Sequence, residues 1–266
     1  MPELPEVETF VRSLRPELTG RTIRAAQVLW DRTIAPRSPA QFMAEIAGQE
    51  ICAVSRRAKY LHLQLTSLHL FIHLRMSGDL WMRELPYQPE KHDRLILELS
   101  DNRALVFNDT RKFGRAWLTV HPEDVIGGLG PEPFDPAFTP ATFHARLMEH
   151  HRQIKPLLLD QSFLAGLGNI YTDEALHLSG VHPQRISDKI KYDEAERLHQ
   201  SIQNVLLTGI EHNGASFDWV YRGGNFQNYF RAYAREGQPC PVCGAPIQRM
   251  VVGQRGTHFC PECQVK

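Results

Sequence analysis

Cys240-Pro-Val-Cys243, followed at 260 by Cys260-Pro-Glu-Cys263, decides how the C-terminal end of the chain folds. Each Cys-x-x-Cys knuckle can grip a tetrahedral Zn²⁺ from one side, with residues 244–259 forming a hairpin between them. Pro239, Pro241, Gly244, Pro246 and Pro261 suit the tight turns this needs. Four thiolates leave no open position for water, so one structural Zn²⁺ is expected, not a catalytic one. The ion would hold a module too small to bury a core of its own. Two disulfides would need an exported protein, and the start Met1-Pro2-Glu3-Leu4-Pro5-Glu6 is acidic and proline-punctuated, unlike a secretory leader. Arg249, Gln254, Arg255 and His258 lie between the knuckles, available to phosphates or simply solvated. Cys52, alone in a strand pattern, is expected in the core.

Working back from the knuckles, residues 214–236 are rich in Gly, aromatics and Arg and read as a loop. Helical periodicity is expected over 141–151, 155–163, 170–179 and 193–212. The stretch 127–140, GGLGPEPFDPAFTP, carries glycine and proline clusters without periodicity and reads as an interdomain linker. Before it the period is two. Tyr60–Leu65 and Arg94–Leu99 alternate, and Ser100-Asp101-Asn102 marks a turn before a strand at Ala104–Phe107. Such strands in succession suggest a sandwich or barrel-like sheet pair. Val7, Phe10, Val11 and Leu14 then place a leading helix over 4–17, with Gly20 as its stop.

The 266 residues are 42% hydrophobic and 23% charged, which suffices for a buried core and excludes a disordered chain. No uninterrupted apolar run is long enough for a membrane span; the richest, Leu68–Leu74, is broken by His69 and His73. Net charge is +0, which alone argues against a polyanion partner. The distribution argues the other way. Arg56, Arg57, Lys59, Arg75 and Arg83 cluster against Asp79, and Arg103, Arg111, Lys112 and Arg115 against Asp109, while 121–137 holds only acids. A neutral chain segregated in this way can present one basic groove.

Removal of Met1 would leave a secondary amine at Pro2. An α-amino group titrates near ~8 against ~10.4 for lysine, so roughly a fifth of it would be nucleophilic at pH ~7.4. Its attack on an aldehyde-level carbon gives an iminium ion, and Glu3 could donate and then accept the proton. Many chains begin Met-Pro without such chemistry, and a retained Met1 would make this nitrogen an inert amide.

Six motifs in order carry a resemblance along the whole chain: MPELPEVET at 1–9, RRAKY at 56–60, HLRMSG at 73–78, DTRKFG at 109–114, GLGNIYTDEAL at 166–176 and the zinc knuckles. The chain resembles bacterial formamidopyrimidine-DNA glycosylases. The resemblance implies an α+β protein: an N-terminal β-sandwich domain with a leading helix (1–130), a helical domain with a helix–two-turn–helix motif (131–236) and a zinc finger (237–266). It implies a bifunctional base-excision enzyme that removes 8-oxoguanine and formamidopyrimidines and nicks the abasic strand by β,δ-elimination. Its partner would be damaged double-stranded DNA, its state monomeric, and its place the bacterial cytoplasm at the nucleoid.

Motif by motif, the resemblance makes Pro2 the nucleophile, Glu3 the general acid, and Lys59 the cation at the damaged base and its phosphate. Glu6 matches an acidic position near the pocket and could equally serve the helix dipole. Met76, Arg111 and Phe113 match the residues that fill the void of an everted nucleotide and press on the opposite cytosine; on residue type alone Met76 and Phe113 would be core. Asn169 and Arg255 resemble phosphate clamps. His73 and His92 match backbone-contact positions, or are ordinary hydrogen-bonded histidines.

Two departures stand out. The family pattern around the wedge is commonly D-P-R-R-F-G, and here Thr110 and Lys112 replace its proline and second arginine. The stretch 214–230, GASFDWVYRGGNFQNYF, is expected to order only on a flipped lesion and carries unusual aromatics. Three rivals remain: a paralogous endonuclease preferring oxidised pyrimidines, a zinc-bearing DNA binder without catalysis, and an N-terminal-proline tautomerase.

Overall fold

The computed structural model describes residues 1–216 and 223–266. The chain divides into two compact units: Met1–Gly128 with Ser216–Gly223, and Leu129–Ala215 with Gly224–Lys266.

The first unit opens with α1 (Leu4–Leu18), entered through a proline in its first turn. Nine strands and two short helices follow: β1 (Ile23–Val28), β2 (Ile34–Ala35), α2 (Pro39–Ile46), β3 (Ile51–Arg57), β4 (Tyr60–Leu65), β5 (His69–His73), β6 (Gly78–Glu84), β7 (Asp93–Leu99), β8 (Arg103–Asp109), β9 (Arg115–Thr119) and α3 (Glu123–Ile126). They form a four-stranded sheet, β1-β7-β8-β6, and a five-stranded sheet, β2-β9-β5-β4-β3. Alternation decides what goes inside. Leu61, Leu63 and Leu65 of β4 join Leu95, Leu97 and Leu99 of β7 in one core, closed by Phe10, Val11, Leu14 and Leu18 of α1. The expected sandwich with a leading helix is therefore present.

Cys52 is exposed, not buried. The β3–β4 register slips between Ile51 and Ala53. The extra residue at this bulge is turned out of the pleat, so Ile51 keeps the core position and the thiol loses it.

The second unit contains α4 (Pro140–Met148), α5 (Ile154–Leu158), α6 (Asn169–Ser179), α7 (Tyr192–Glu211) and a hairpin of β10 (Gln248–Val252) and β11 (Arg255–Phe259). Helices α6 and α7 lie so close that a Cβ on Gly209 would meet the Tyr171 ring at 2.5 Å. The expected helix over 155–163 ends at Leu158. Asp160 there accepts from the Ser162 amide and hydroxyl, offering the backbone a turn instead of another helical bond. Gln161 then braces the turns leading to α6: its amide donates to the Leu159 and Leu167 carbonyls, and its oxygen accepts from Gly166 N–H.

The proline-rich stretch after Gly128 packs rather than dangling. Phe138 is buried beside Phe143 and His199, and the Phe138 and Pro133 carbonyls accept from His199 and Gln203 of α7. Among the described residues, no helix is long and apolar enough to cross a membrane.

Candidate active site, nucleic-acid face and metal centre

The N-terminal turn holds Pro2, Glu3 and Glu6 together in the first unit. All three are buried, while Met1 is half exposed. Glu3 is the N-cap of α1, and its amide donates to Glu6 Oε2 at 2.8 Å, one half of a capping box. Glu6 thus orients the residue that follows the candidate nucleophile. Helix α1 packs on β3 and β4. Lys59 is buried in the tight turn joining those strands, where Arg57 pairs with Tyr60 and Ala58 takes a φ of 52°.

His73 pairs with Tyr60 in the sheet, and the two rings meet edge-on at 4.8 Å. Its pKa is lowered to about 3, by burial first and then by the charges of Arg75 and Lys59. The ring is neutral, and Nδ1 accepts from Arg75 N–H at 3.0 Å. Its proton therefore sits on Nε2, an uncharged donor suited to an anionic oxygen. His92 Nδ1 lies 3.3 Å from the Arg94 guanidinium, and its carbonyl accepts from Asp109 N–H at 2.9 Å.

Met76 and Phe113 are exposed, at 43% and 53%. Arg111 Nη1 lies 3.7 Å from Met76 Sδ, so the structure brings at least these two expected wedge residues together. The residue that builds this face is Asp109, which sequence reasoning left out of the site. Its Oδ1 accepts from Arg111 N–H at 3.1 Å and from Ser77 Oγ, and its Oδ2 accepts from Gly114 N–H at 2.7 Å. The motif DTRKFG holds the signal: a short acid opening a turn that closes on glycine. A Cβ on Gly114 would meet the Phe107 ring at 2.4 Å, so only glycine fits. Beside this loop a cavity of about 790 Å³, also unforeseen, is lined by Thr9 and Phe10 of α1, Ser77, Trp81, His92 and Thr110.

In the second unit Asn169 is the first residue of α6. One N–H of its side-chain amide is engaged, Nδ2 donating to the Gly256 carbonyl at 3.0 Å, which leaves the second N–H for a ligand. That bond ties the helix to the hairpin beside Arg255, which is exposed at the start of β11. Lys155 reinforces the tie. Fully buried, its Nζ donates to Asp173 Oδ1 at 2.6 Å, Thr257 Oγ1 at 2.8 Å and the Gly256 carbonyl at 3.0 Å. Asp173 Oδ2 accepts from His258 N–H at 2.9 Å. Glu174 does similar work on the next segment, accepting from the amides of Arg231, Ala232 and Tyr233. The sequence held a pointer to both acids, since charged residues on the buried side of an α-helix need partners. Residues 217–222 of the loop expected to order on a lesion lie outside the described residues.

The four cysteines of the knuckles converge, with all Sγ atoms within 4.8 Å of one another. Cys240 and Cys263 are 3.9 Å apart, and Cys243 and Cys260 are 3.4 Å apart. Zn–S bonds of about 2.3 Å give a tetrahedron with edges of about 3.8 Å, so the set fits Zn²⁺. Burial works against the Cys240 thiolate, but the amides of Val242 and Cys243 outweigh it and bring this thiol to about 7. Burial and neighbouring thiols push Cys260 and Cys263 up. A cation at the centre lets all four ionise. His177 of α6 lies behind the site, its Nε2 3.3 Å from Cys240 Sγ.

Residues 1–116 match the formamidopyrimidine-DNA glycosylase N-terminal domain, 129–219 the formamidopyrimidine-DNA glycosylase H2TH domain, and 237–265 the zinc finger found in FPG and IleRS. The formamidopyrimidine-DNA glycosylase of Chloroflexus aggregans is 47% identical, over 100% of this chain and 99% of that protein. That of Latilactobacillus sakei is 42% identical over the same shares. Among solved structures, a Lactococcus lactis FPG mutant bound to Fapy-dG-containing DNA aligns over the whole of both chains with a TM-score of 0.93 at 37% identity. The L. lactis Fpg complex with abasic-site DNA gives 0.92 at 36%. With the cysteine tetrad, the capped N-terminal turn and the Asp109-braced loop in place, this chain belongs to the formamidopyrimidine-DNA glycosylase family.

Proposed function

We propose that the protein is a DNA glycosylase of base-excision repair that removes oxidised purines, 8-oxoguanine and formamidopyrimidines, from duplex DNA and nicks the abasic strand through a Pro2 Schiff base. The observation that carries this reading is the N-terminal turn: Glu3 and Glu6 are locked to each other at the very end where a processed chain would present its amine. The Pro2 nitrogen attacks the anomeric carbon as the base leaves, and Glu3 delivers the proton that opens the sugar ring. The resulting iminium draws electrons from the sugar, and β- and then δ-elimination release the strand ends. Lys59 stabilises negative charge at the lesion, and the neutral His73 donates to a phosphate. His92 contacts the backbone nearby. Met76, Arg111 and Phe113 occupy the space of the everted nucleotide, with Arg111 reading the opposite base. Arg255 and the α6 amides at Asn169 bind phosphates, and bound Zn²⁺ supplies the rigidity of the hairpin that carries Arg255.

We assign the same three parts to this work, 1–130 for chemistry, 131–236 for helical DNA binding and 237–266 for the zinc finger, in a monomer at the bacterial nucleoid. The test is borohydride trapping on an 8-oxoguanine:C duplex, with the N-terminus read by mass spectrometry. A covalent adduct on Pro2 of the Met1-processed chain is expected, and a thymine-glycol duplex should trap less. An uncut Met1 in active protein, or no adduct, overturns the Pro2 assignment; preference for thymine glycol moves the enzyme to the pyrimidine branch.

A further inference from the structure

Lys112 sits between Arg111 and Phe113 in the wedge loop, and its ammonium lies 3.9 Å from the centroid of the Trp30 ring. Its φ of 61° is left-handed, so the backbone turns at this residue in a way that non-glycine residues rarely adopt. Something must hold it there, since Thr110 has no ring to limit its own φ. Asp109 clamps the two ends of the turn, at Arg111 and Gly114. The middle, where the exposed Phe113 stands, is restrained through Lys112.

Trp30 lies two residues past the end of β1, and the preceding Leu29 N–H donates to the Arg94 carbonyl at 2.9 Å. The buried Arg94 guanidinium in turn donates to the Asp109 carbonyl at 2.8 Å. Arg94 thus ties the backbone just before Trp30 to the root of the wedge loop. Trp30 is partly buried, and its Nε1 has no acceptor among the described residues, so the contact that the ring makes with Lys112 is through its face.

We infer that the Lys112–Trp30 cation–π contact is a latch that positions the wedge, and that it sets how strictly Arg111 discriminates the base opposite the lesion. Lys112 is a positioning residue, not a catalytic one. The inference rests on the wedge reading above. A half-exposed contact of this kind limits its effect to about two- to fivefold.

Single-turnover excision of 8-oxoguanine opposite C and opposite A is measured for Lys112→Gln, Trp30→Leu, the double variant and Lys112→Arg, each checked for an unchanged melting temperature. The latch predicts that both single variants lower the C-over-A ratio by about threefold, that the double variant loses no more than either single, and that Lys112→Arg, which keeps the cation, restores it. Trp30→Phe, with a smaller ring in the same place, serves if Trp30→Leu does not fold. If Lys112→Gln instead weakens binding to every duplex alike while Trp30 variants change nothing, Lys112 is a phosphate contact and the latch is overturned. Arg111→Ala separates the two levels. A ratio unmoved by Arg111→Ala refutes the wedge reading itself; a ratio that collapses there but not in the Lys112 and Trp30 variants refutes the latch alone.

Discussion

His177 shows how much can depend on one nitrogen. When Cys240 is a zinc thiolate it carries no proton, so the contact at 3.3 Å must be an N–H donated from His177 Nε2. The other ring nitrogen, Nδ1, is buried with no partner among the described residues, as expected of a bare lone pair in that tautomer. A donor to a ligating sulfur holds the ligand and spreads its charge, and loss of such a support typically costs 10–100-fold in metal affinity. His177→Phe keeps a ring and removes the donor. Zinc transfer to a competing chelator should quicken by about tenfold, and the sulfur-to-metal charge-transfer band of the Co²⁺-loaded protein should move; an unchanged band means the histidine only fills space. Nothing in HLSG at 177–180 marks this residue, because the pairing spans α6 and the first knuckle, far apart in sequence. The roles of Asp109 and Lys155 were illegible for the same reason: each is decided by partners that only the fold assembles. The four cysteines were legible because their spacing is itself the geometry.

At the level of elements, the hairpin of β10 and β11 is secured by Lys155 from α5 and Asp173 from α6. Both side chains are fully buried, so removing one partner strands a charge. Lys155→Met should cost about 3–5 kcal/mol in urea unfolding. It should also loosen Gly256 and Thr257, seen as faster amide exchange in β11, whereas unchanged exchange would mean the hairpin stands on zinc alone. The β4–β5 pair makes a different prediction. His62 is pulled to about 4 by burial and by the neighbouring His69, and His73 to about 3 by burial and then Arg75 and Lys59. Both folded values lie below the unfolded value near ~6.5, so the unfolded chain binds more protons as pH falls. Stability is fully present above about 6.5 and is lost below it, with a slope approaching about 1.4 kcal/mol per pH unit for the buried His73 and a smaller one for the half-buried His62, which solvent screens. Unfolding midpoints between pH ~6.5 and ~5 should fall, and His62→Leu should flatten that fall; an equal slope in the variant would assign it elsewhere. The strands themselves were readable, since period-two alternation is a local property. The early stop of α5 and the Cys52 bulge were not, because a side-chain cap and a register slip override periodicity.

Across the whole molecule, a net charge of zero conceals its distribution. Lys and Arg number 30 against 30 Asp and Glu, so binding should be salt-sensitive through the particular cations proposed to meet phosphates, Arg111 and Arg255 among them, without the steep dependence of a highly basic protein. Arg255→Gln should reduce the slope of log affinity against log salt by about 1, alike for damaged and undamaged duplexes, and a slope equal to wild type would take Arg255 out of the interface. The α+β architecture and its zinc finger could be read before any coordinates, because motifs in order along the chain determine family membership. The surface that meets DNA could not be read from composition, which sums charges without their positions.

The outward-facing sulfur of Cys52 gives this enzyme a built-in meter. With Zn²⁺ in place the four knuckle thiols are shielded from alkylation, and Cys52 alone reacts promptly. Stripping the ion exposes all five cysteines. Counting labelled sulfurs by intact mass therefore reports finger occupancy molecule by molecule.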